Sequence, residues 1–172
     1  ADPVSLAATN GTAAKLPKDS IVFAGISMKT IELLKVVDRF RGDMPVMASS
    51  GPSHMMFRMG HRDPTIYQTG MSYTAPMALG LALARPDLKS IAIDGDGATL
   101  MGLSGFVTIG RYQPPNLVLI MVNNRQYRAA GGGGMKTATA FRADLCGLAR
   151  AAGIERSQVA DTPEQFEEGF RE

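Results

Sequence analysis

The sequence predicts an α/β fold, a three-layer α/β/α arrangement around a mostly parallel central sheet. Two short uncharged runs, residues 91–93 and 117–122, have the composition of strands buried on both faces. A segment of helical length separates them, as in a βαβ unit with a right-handed crossover. Polar residues follow both runs, so we expect a ligand site where these strands end, at the carboxyl edge of the sheet.

Length and composition limit the classes of function. The chain has 172 residues, of which 45% are hydrophobic, and this is sufficient for one domain with a substantial core. A net charge of +2 argues against binding to nucleic acid or to a membrane surface. The single cysteine, Cys146, excludes an internal disulfide and a cysteine-ligated cluster, and its helical context predicts a core position.

The sequence contains no pattern that predicts a membrane span or a secretory signal. No run of about 18 apolar residues suggests a membrane span, and no secretory signal pattern is present. By default, this predicts a cytoplasmic location. We interpret residues 1–27 as an N-terminal extension or linker, in which residues 21–24 resemble a short strand. Residues 28–172 form the predicted domain.

The remaining elements follow from periodicity and turn signals. An amphipathic helix is expected from Met28 to about residue 41, then a strand at 45–48 and a hydroxyl-rich turn leading into a second helix. A strand at 66–69 precedes an Ala-rich helix at 74–84. After the second buried run, residues 131–134 are four glycines, read either as a mobile lid or as a plain connection. A helix at 141–152, a strand at 154–160 and a helix from Thr162 complete the prediction.

The polar residues after the two buried strands indicate a metal and phosphate site. Gly95 and Gly97 flank Asp96, which permits a tight turn and a close approach of a ligand. The following helix offers free N–H groups to a diphosphate. Asp96 and Asn124 supply hard oxygen donors, which suit Mg²⁺ or Ca²⁺.

Gly95-Asp96-Gly97 followed by Asn123-Asn124, with strand, helix and strand between, resembles the motif of thiamine diphosphate (ThDP) enzymes. The resemblance covers about residues 28–172 and is to the diphosphate-binding domain. It implies ThDP and Mg²⁺ as cofactors. The implied metal ligands are the side chains of Asp96 and Asn124 and the main-chain carbonyl of Gln126. Ala98 stands where many relatives carry serine, and Thr99 offers a hydroxyl nearby.

Two further loops resemble the cofactor loops of the family. Met71 matches the apolar residue that props the cofactor rings into a bent shape, although a core-filling role is an alternative. The hydroxyl-rich turn at residues 49–54 matches the loop that lies near the diphosphate. Alternatively, its residues cap the helix that follows. The roles of His54, Arg125 and Arg128 stay open. The implied cofactor-binding residues are Ser50, Gly51, Ser53, Thr69, Gly70, Met71, Gly95, Asp96, Gly97, Ala98, Thr99, Asn124, Gln126 and Tyr127.

Within the family, the sequence resembles the β subunit of sulfopyruvate decarboxylase and the corresponding half of phosphonopyruvate decarboxylase, on the segments MKTIELLK and SSGPSHMM and the Gly-Met pair. That resemblance implies non-oxidative decarboxylation of a 2-oxoacid with an anionic tail. The family's activating glutamate lies in a separate pyrimidine-binding domain, and no glutamate of this chain falls in a cofactor loop. We therefore expect no catalytic residue here and a hetero-oligomer with a pyrimidine-domain (alpha) subunit.

Three alternatives are weighed against this function. The first is a ThDP-dependent carboligase or lyase subunit of the acetolactate synthase type. The second is a non-catalytic ThDP-binding subunit. The third is the β subunit of a 2-oxoacid:ferredoxin oxidoreductase, which is disfavoured because one cysteine cannot hold an iron–sulfur cluster.

Overall fold

A parallel sheet forms the centre of the protein. The computed structural model describes residues 21–25, 28–128 and 134–171. Within these ranges six strands form one sheet, in the spatial order β3-β2-β4-β5-β1-β8, and every neighbouring pair is parallel. The strands are β1 (Ile21–Gly25), β2 (Val46–Ser49), β3 (Thr65–Thr69), β4 (Ser90–Gly95), β5 (Leu117–Val122) and β8 (Ser157–Val159). The predicted α/β class is confirmed.

Helices cover both faces of this sheet. They are α1 (Thr30–Phe40), α2 (Ser50–Met59), α3 (Thr74–Ala84), α4 (Asp96–Met101), α5 (Ser104–Tyr112), α6 (Leu145–Ala151) and α7 (Pro163–Arg171). Buried residues of α1, α2 and α7 form one apolar cluster with the sheet, and those of α3, α5 and α6 form a second one. Alternate residues of β4 and β5 contribute to each cluster, because successive strand residues point to opposite faces.

The central strands β4 and β5 are buried along almost their whole length. Every residue of β5 is buried, as are the first five of β4. This explains why both read in the sequence as uninterrupted apolar runs. Their register pairs Gly95 with Val122, so the two strands end side by side. The residues that follow them therefore leave the sheet at the same edge.

The expected helix between β4 and β5 is two helices, α4 and α5, separated at Gly102-Leu103. The break lies where Gly102 packs against the loop before α3: a Cβ on Gly102 would lie 2.8 Å from the Ser72 carbonyl oxygen. A continuous helix with a larger residue at this position would collide with that backbone.

The helix expected at residues 141–152 begins only at Leu145, so its predicted start is wrong. Residues Ala138–Ala140 form a short 3₁₀ helix instead, and Asp144 is extended at the N-cap of α6. The preceding chain forms a hairpin of β6 (Gln126–Tyr127) and β7 (Met135–Lys136), which the sequence analysis did not anticipate. Of the glycine segment, residues 131–133 lie outside the described residues.

The N-terminal boundary of the domain stays a prediction. Strand β1 belongs to the segment assigned to the extension, yet its backbone pairs with both β5 and β8. The sheet thus includes five residues from before position 28. Cys146 is buried in α6, as its helical context predicted.

Candidate functional site

The ends of β4 and β5 bring the predicted metal-ligating residues to one edge of the sheet. Asp96 begins α4 directly after β4, and Asn123 and Asn124 follow β5. Because β4 and β5 end in register, the acidic turn (Gly95-Asp96-Gly97) and the asparagine pair (Asn123-Asn124) lie at adjacent strand ends. This is the position where open α/β sheets bind ligands.

A cavity of about 150 Å³ opens at this edge. Ten of the predicted cofactor-binding residues line it. They are Ser50, Gly51, Met71, Gly95, Asp96, Gly97, Ala98, Asn124, Gln126 and Tyr127. The lining also includes residues that the sequence analysis did not assign, and they are Thr30, Ser49, Pro52, Met55, Val122 and Arg128.

Four predicted residues are not part of this lining. Thr69 and Thr99 are buried, and Gly70 is exposed beside the ring of Tyr73. Ser53 is also buried: its hydroxyl donates to the Ala48 carbonyl at 2.6 Å and accepts from the Gln68 N–H at 2.8 Å. Ser53 therefore ties α2 to β2 and β3, which gives it a structural role in addition to any contact with a ligand.

Asp96 is the most enclosed of the predicted ligands, with 1% of its surface exposed. Its Oδ2 atom accepts hydrogen bonds from the hydroxyls of Thr137 and Thr139, both at 2.5 Å. Its Oδ1 atom is buried without a hydrogen-bond partner among the described residues. A carboxylate oxygen in that state is costly unless a cation or donor compensates it, so the side chain fits a metal ligand.

Asn124 has the opposite environment. Its side chain is exposed, and its Oδ1 atom accepts a hydrogen bond from the Gln126 N–H at 2.9 Å. An amide oxygen has two lone pairs, so this contact leaves one for a cation. Between Asn124 and Gln126, Arg125 adopts φ +61°, a left-handed conformation that is uncommon for a residue with a side chain. Asn124 and Gln126, on either side of this residue, both line the cavity.

Tyr127 packs tightly on the acidic turn. A Cβ added to Gly97 would lie 2.3 Å from the Tyr127 ring, so only glycine permits this approach. The contact fixes the β6–β7 hairpin against the start of α4. Two further positive φ values flank the other side of the site, at Gln68 (+56°) and Ser72 (+72°). Backbone strain of this kind concentrates at ligand sites.

A second buried carboxylate, Asp94, escaped the sequence analysis. It is 5% exposed, and its Oδ1 atom accepts from the Gly95 N–H at 2.9 Å. Burial raises the pKa of Asp94 to about 6, although hydrogen bonds from Ser49, Gly95 and Thr74 oppose that rise. Asp94 ties the ends of β2 and β4 to the start of α3. An aspartate as the last buried residue of an apolar strand was the signal that could have identified it.

The other end of the cavity is formed by Met71 and α2. Met71 is half-buried in the loop before α3 and lines the same cavity as Asp96. His54 is exposed on α2, where its Nε2 atom lies 3.2 Å from the Gln68 Nε2 atom. His54 is not part of the cavity lining. Two helices, α2 and α4, begin at the cavity, because their N-cap residues Ser49 and Gly95 both line it.

Comparisons with known proteins identify the family of the chain. Residues 43–172 match the family model described as thiamine pyrophosphate enzyme, C-terminal TPP binding domain. The chain belongs to the thiamine pyrophosphate enzyme family. Thiamine pyrophosphate is another name for ThDP, so the matched domain is the one whose motif the sequence resembles.

Several curated relatives are similar over most of the chain. The chain is 32% identical to the sulfopyruvate decarboxylase subunit beta of Methanocaldococcus jannaschii, over 83% of this chain and 76% of that protein. It is 29% identical to the same subunit of Methanothermobacter thermautotrophicus, over 76% and 71%. Phosphonopyruvate decarboxylase of Streptomyces viridochromogenes is 32% identical over 64% of this chain but only 28% of its own length.

Two features are absent from the described part of the chain. Within residues 21–25, 28–128 and 134–171, no helix is both long and apolar enough to cross a membrane. The same residues contain no group of three His, Cys, Asp or Glu side chains with metal-binding geometry. A metal at this edge would therefore have to draw on amide, carbonyl or ligand oxygens as well as on Asp96.

Proposed function

We propose that the chain is the diphosphate- and metal-binding subunit of a ThDP- and Mg²⁺-dependent decarboxylase of 2-oxoacids with an anionic tail. One observation carries this proposal: among the described residues, the Oδ1 atom of Asp96 is buried without a hydrogen-bond partner, at a cavity that Asn124 and Gln126 also line. Bound ThDP supplies the electron sink that allows a 2-oxoacid to lose CO₂.

The protein's part in this reaction begins with the cation. Asp96 and Asn124 offer side-chain oxygens and Gln126 a backbone carbonyl, which is the all-oxygen set that Mg²⁺ prefers. Magnesium usually completes its coordination with water and phosphate oxygens, so few protein ligands suffice. The N-termini of α2 and α4 flank the cavity, and their free N–H groups suit the diphosphate.

The remaining predicted residues are assigned to the organic part of the cofactor. Met71 lines the cavity at the start of α3 and is proposed to support the bent ring geometry. The backbone carbonyl of Thr69 is proposed to accept from the aminopyrimidine. These two residues would thereby fix the relative orientation of the two rings, so that little reorganisation would be required.

A partner subunit is proposed to complete the site. The cavity volume of about 150 Å³ is below the range of roughly 300–1,000 Å³ typical of complete small-molecule sites. In the described part of the chain, no glutamate lines it. The two sulfopyruvate decarboxylase relatives described above are named as beta subunits. We therefore assign the activating glutamate to a pyrimidine-domain subunit in a hetero-oligomer.

The anionic tail of the substrate is the most specific part of the proposal. Relatives are named for sulfopyruvate and phosphonopyruvate, which carry a sulfonate or a phosphonate. Arg128 lines the cavity next to the metal ligands and is exposed. An arginine fork is well suited to such an oxyanion.

The test is a reconstitution. The full chain is purified with and without the pyrimidine-domain subunit, and CO₂ and aldehyde release are measured with sulfopyruvate, phosphonopyruvate and pyruvate in the presence of ThDP and Mg²⁺. We expect turnover only with the partner and a preference for the sulfonate or phosphonate substrate. Robust decarboxylation by this chain alone would contradict the split site.

The same assay separates the alternatives. A carboligase of the acetolactate synthase type would form a new C–C bond when an acceptor aldehyde or second 2-oxoacid is added. A non-catalytic subunit would tolerate the substitution Asp96→Ala in the assembled complex without a change in turnover. We expect loss of turnover in that variant and aldehyde as the main product.

A further inference from the structure

We propose that Thr137 and Thr139 are positioning residues that hold the Asp96 carboxylate with one oxygen free for the metal. This inference rests on the proposed function, because it concerns the same metal. Both threonines lie more than 40 residues beyond the acidic turn, on the chain that follows the β6–β7 hairpin. Neither belongs to the sequence motif.

The two hydroxyls converge on one oxygen. Each hydroxyl oxygen lies 2.5 Å from Asp96 Oδ2, at the short end of the range for hydroxyl–carboxylate bonds. The two hydroxyl oxygens are 2.8 Å apart. A hydroxyl has one proton to donate, so when Asp96 is ionised both protons point at Oδ2 and neither serves the other threonine.

This arrangement leaves the second carboxylate oxygen for another partner. Thr137 and Thr139 are 1% and 6% exposed, so water does not compete freely for their hydroxyls. With Oδ2 occupied twice, the plane of the carboxylate is fixed and Oδ1 stays without a donor in the described structure. Groups that orient a metal ligand by hydrogen bonding in this way raise the metal affinity of a site.

Backbone contacts next to the threonines also dock the β6–β7 hairpin. Gln126 pairs with Lys136, and the Thr137 N–H donates to the Arg125 carbonyl at 3.2 Å. The threonines thus join Asp96 to the short strand that carries the Gln126 carbonyl. Losing both hydroxyls is expected to loosen the carboxylate and this carbonyl together, so two of the three proposed ligands depend on them.

The test compares Thr137→Val and Thr139→Val, singly and combined, with the serine variants at both positions. Valine keeps the shape and removes the hydroxyl, whereas serine keeps the hydroxyl. The control is Thr65→Val: the Thr65 hydroxyl accepts from Arg41 at 2.7 Å and donates to the Arg62 carbonyl at 2.5 Å. Thr65 begins β3, so it lies at the opposite edge of the parallel sheet from Asp96.

The readout is the affinity of the full chain for Mn²⁺ in the presence of ThDP, followed by the loss of the free-Mn²⁺ electron paramagnetic resonance signal. Unfolding without metal is recorded in parallel. We expect the double valine variant to bind Mn²⁺ about 10- to 100-fold more weakly. The serine variants should retain the affinity of the unsubstituted chain, and Thr65→Val should lose stability alone.

Each other outcome is decisive. Unchanged Mn²⁺ affinity in the valine variants would overturn the positioning role and leave the proposed function standing. Serine variants as weak as valine, or an equal loss in Thr65→Val, would also overturn it, because packing or general stability would then be the cause. If the double variant does not fold, the single variants are judged by the same criterion. Failure of the unsubstituted chain to bind Mn²⁺ with ThDP, both alone and assembled with its pyrimidine-domain subunit, would overturn both proposals.

Discussion

The two side chains at the ends of β4 and β5 differ sharply in their surroundings. Asp96 is buried and receives two hydroxyl hydrogen bonds, both on the same oxygen. Asn124 is exposed and makes one contact, with a backbone N–H two residues away. One half of the proposed metal site is therefore fixed by the fold before a ligand arrives, and the other half is held only by its own turn.

This difference separates two kinds of contribution to binding. A buried, pre-oriented charge contributes strongly, because no side-chain ordering is required and the surroundings screen it little. An exposed amide contributes less, because it is hydrated before it binds. If the proposed site is correct, substitution of Asp96 should weaken metal binding more than substitution of Asn124.

The largest effect is expected from Asp96→Asn. This substitution keeps the shape of the side chain and removes its charge. Loss of a group that only supports a metal ligand lowers metal affinity by about 10- to 100-fold. Loss of the ligand's own charge should therefore lower Mn²⁺ affinity in the presence of ThDP by more than about 100-fold. Isothermal titration or the free-Mn²⁺ signal measures this. The thermal midpoint without metal serves as the folding control. An affinity within a few-fold of the unsubstituted chain would remove Asp96 from the site.

A smaller effect is expected from Asn124→Ala. The affinity should fall about 10-fold, the lower end of the range for supporting groups. The free energy of unfolding should also drop by about 1 kcal/mol, because the Gln126 N–H loses its acceptor. Asn124→Asp is the matched variant, since it keeps an oxygen at both contacts and should bind Mn²⁺ at least as well. Equal losses in the two variants would argue against an oxygen ligand at this position.

The packing of the hairpin on the acidic turn predicts a third effect. Gly97→Ala places a methyl group against the Tyr127 ring, and we expect a loss of about 1–3 kcal/mol in the free energy of unfolding, measured in urea. Metal affinity should fall less than in Asn124→Ala. Adding Tyr127→Ala should recover part of the lost stability. No recovery in the double variant would show that the ring is not the obstacle.

The smallest effect is expected from Gln126→Ala. Only the backbone carbonyl of Gln126 is proposed as a ligand. Among the described residues, its side chain accepts one long hydrogen bond, of 3.5 Å, from the Arg128 Nε atom. Mn²⁺ affinity should stay within about two-fold, which is the order of one exposed, weak interaction. A large loss measured in the same titration would mean that the amide side chain itself binds the ion or the cofactor.

Most of the fold was predictable because its central strands are buried on both faces. β4 and β5 contain uninterrupted apolar runs, and α3 begins and ends where its sequence pattern predicted. The break between α4 and α5 was not predictable, because it depends on a contact between Gly102 and a distant loop. The late start of α6 also reflects the docking of Thr137 and Thr139 on Asp96 and not a local propensity.

The residues of the site also divide into those that a sequence pattern predicts and those that depend on distant contacts. The acidic turn and the asparagine pair are short motifs beside predictable strands, so their meeting at one edge followed from topology. The threonines that hold Asp96 follow the β6–β7 hairpin, whose strands have only two residues each, and no local pattern marks them. Asp94 was overlooked because its position at the end of an apolar strand marks a buried carboxylate but does not show that it is tied to Ser49 and Thr74.

The proposed metal site is tested most directly by crystals grown with Mn²⁺ and ThDP and measured at the manganese absorption edge. The anomalous peak should lie within about 2.0–2.3 Å of Asp96 Oδ1, Asn124 Oδ1 and the Gln126 carbonyl oxygen. It should also contact two phosphate oxygens. A peak bound to Asp94 instead, or a cofactor bound without any metal at this edge, would contradict it.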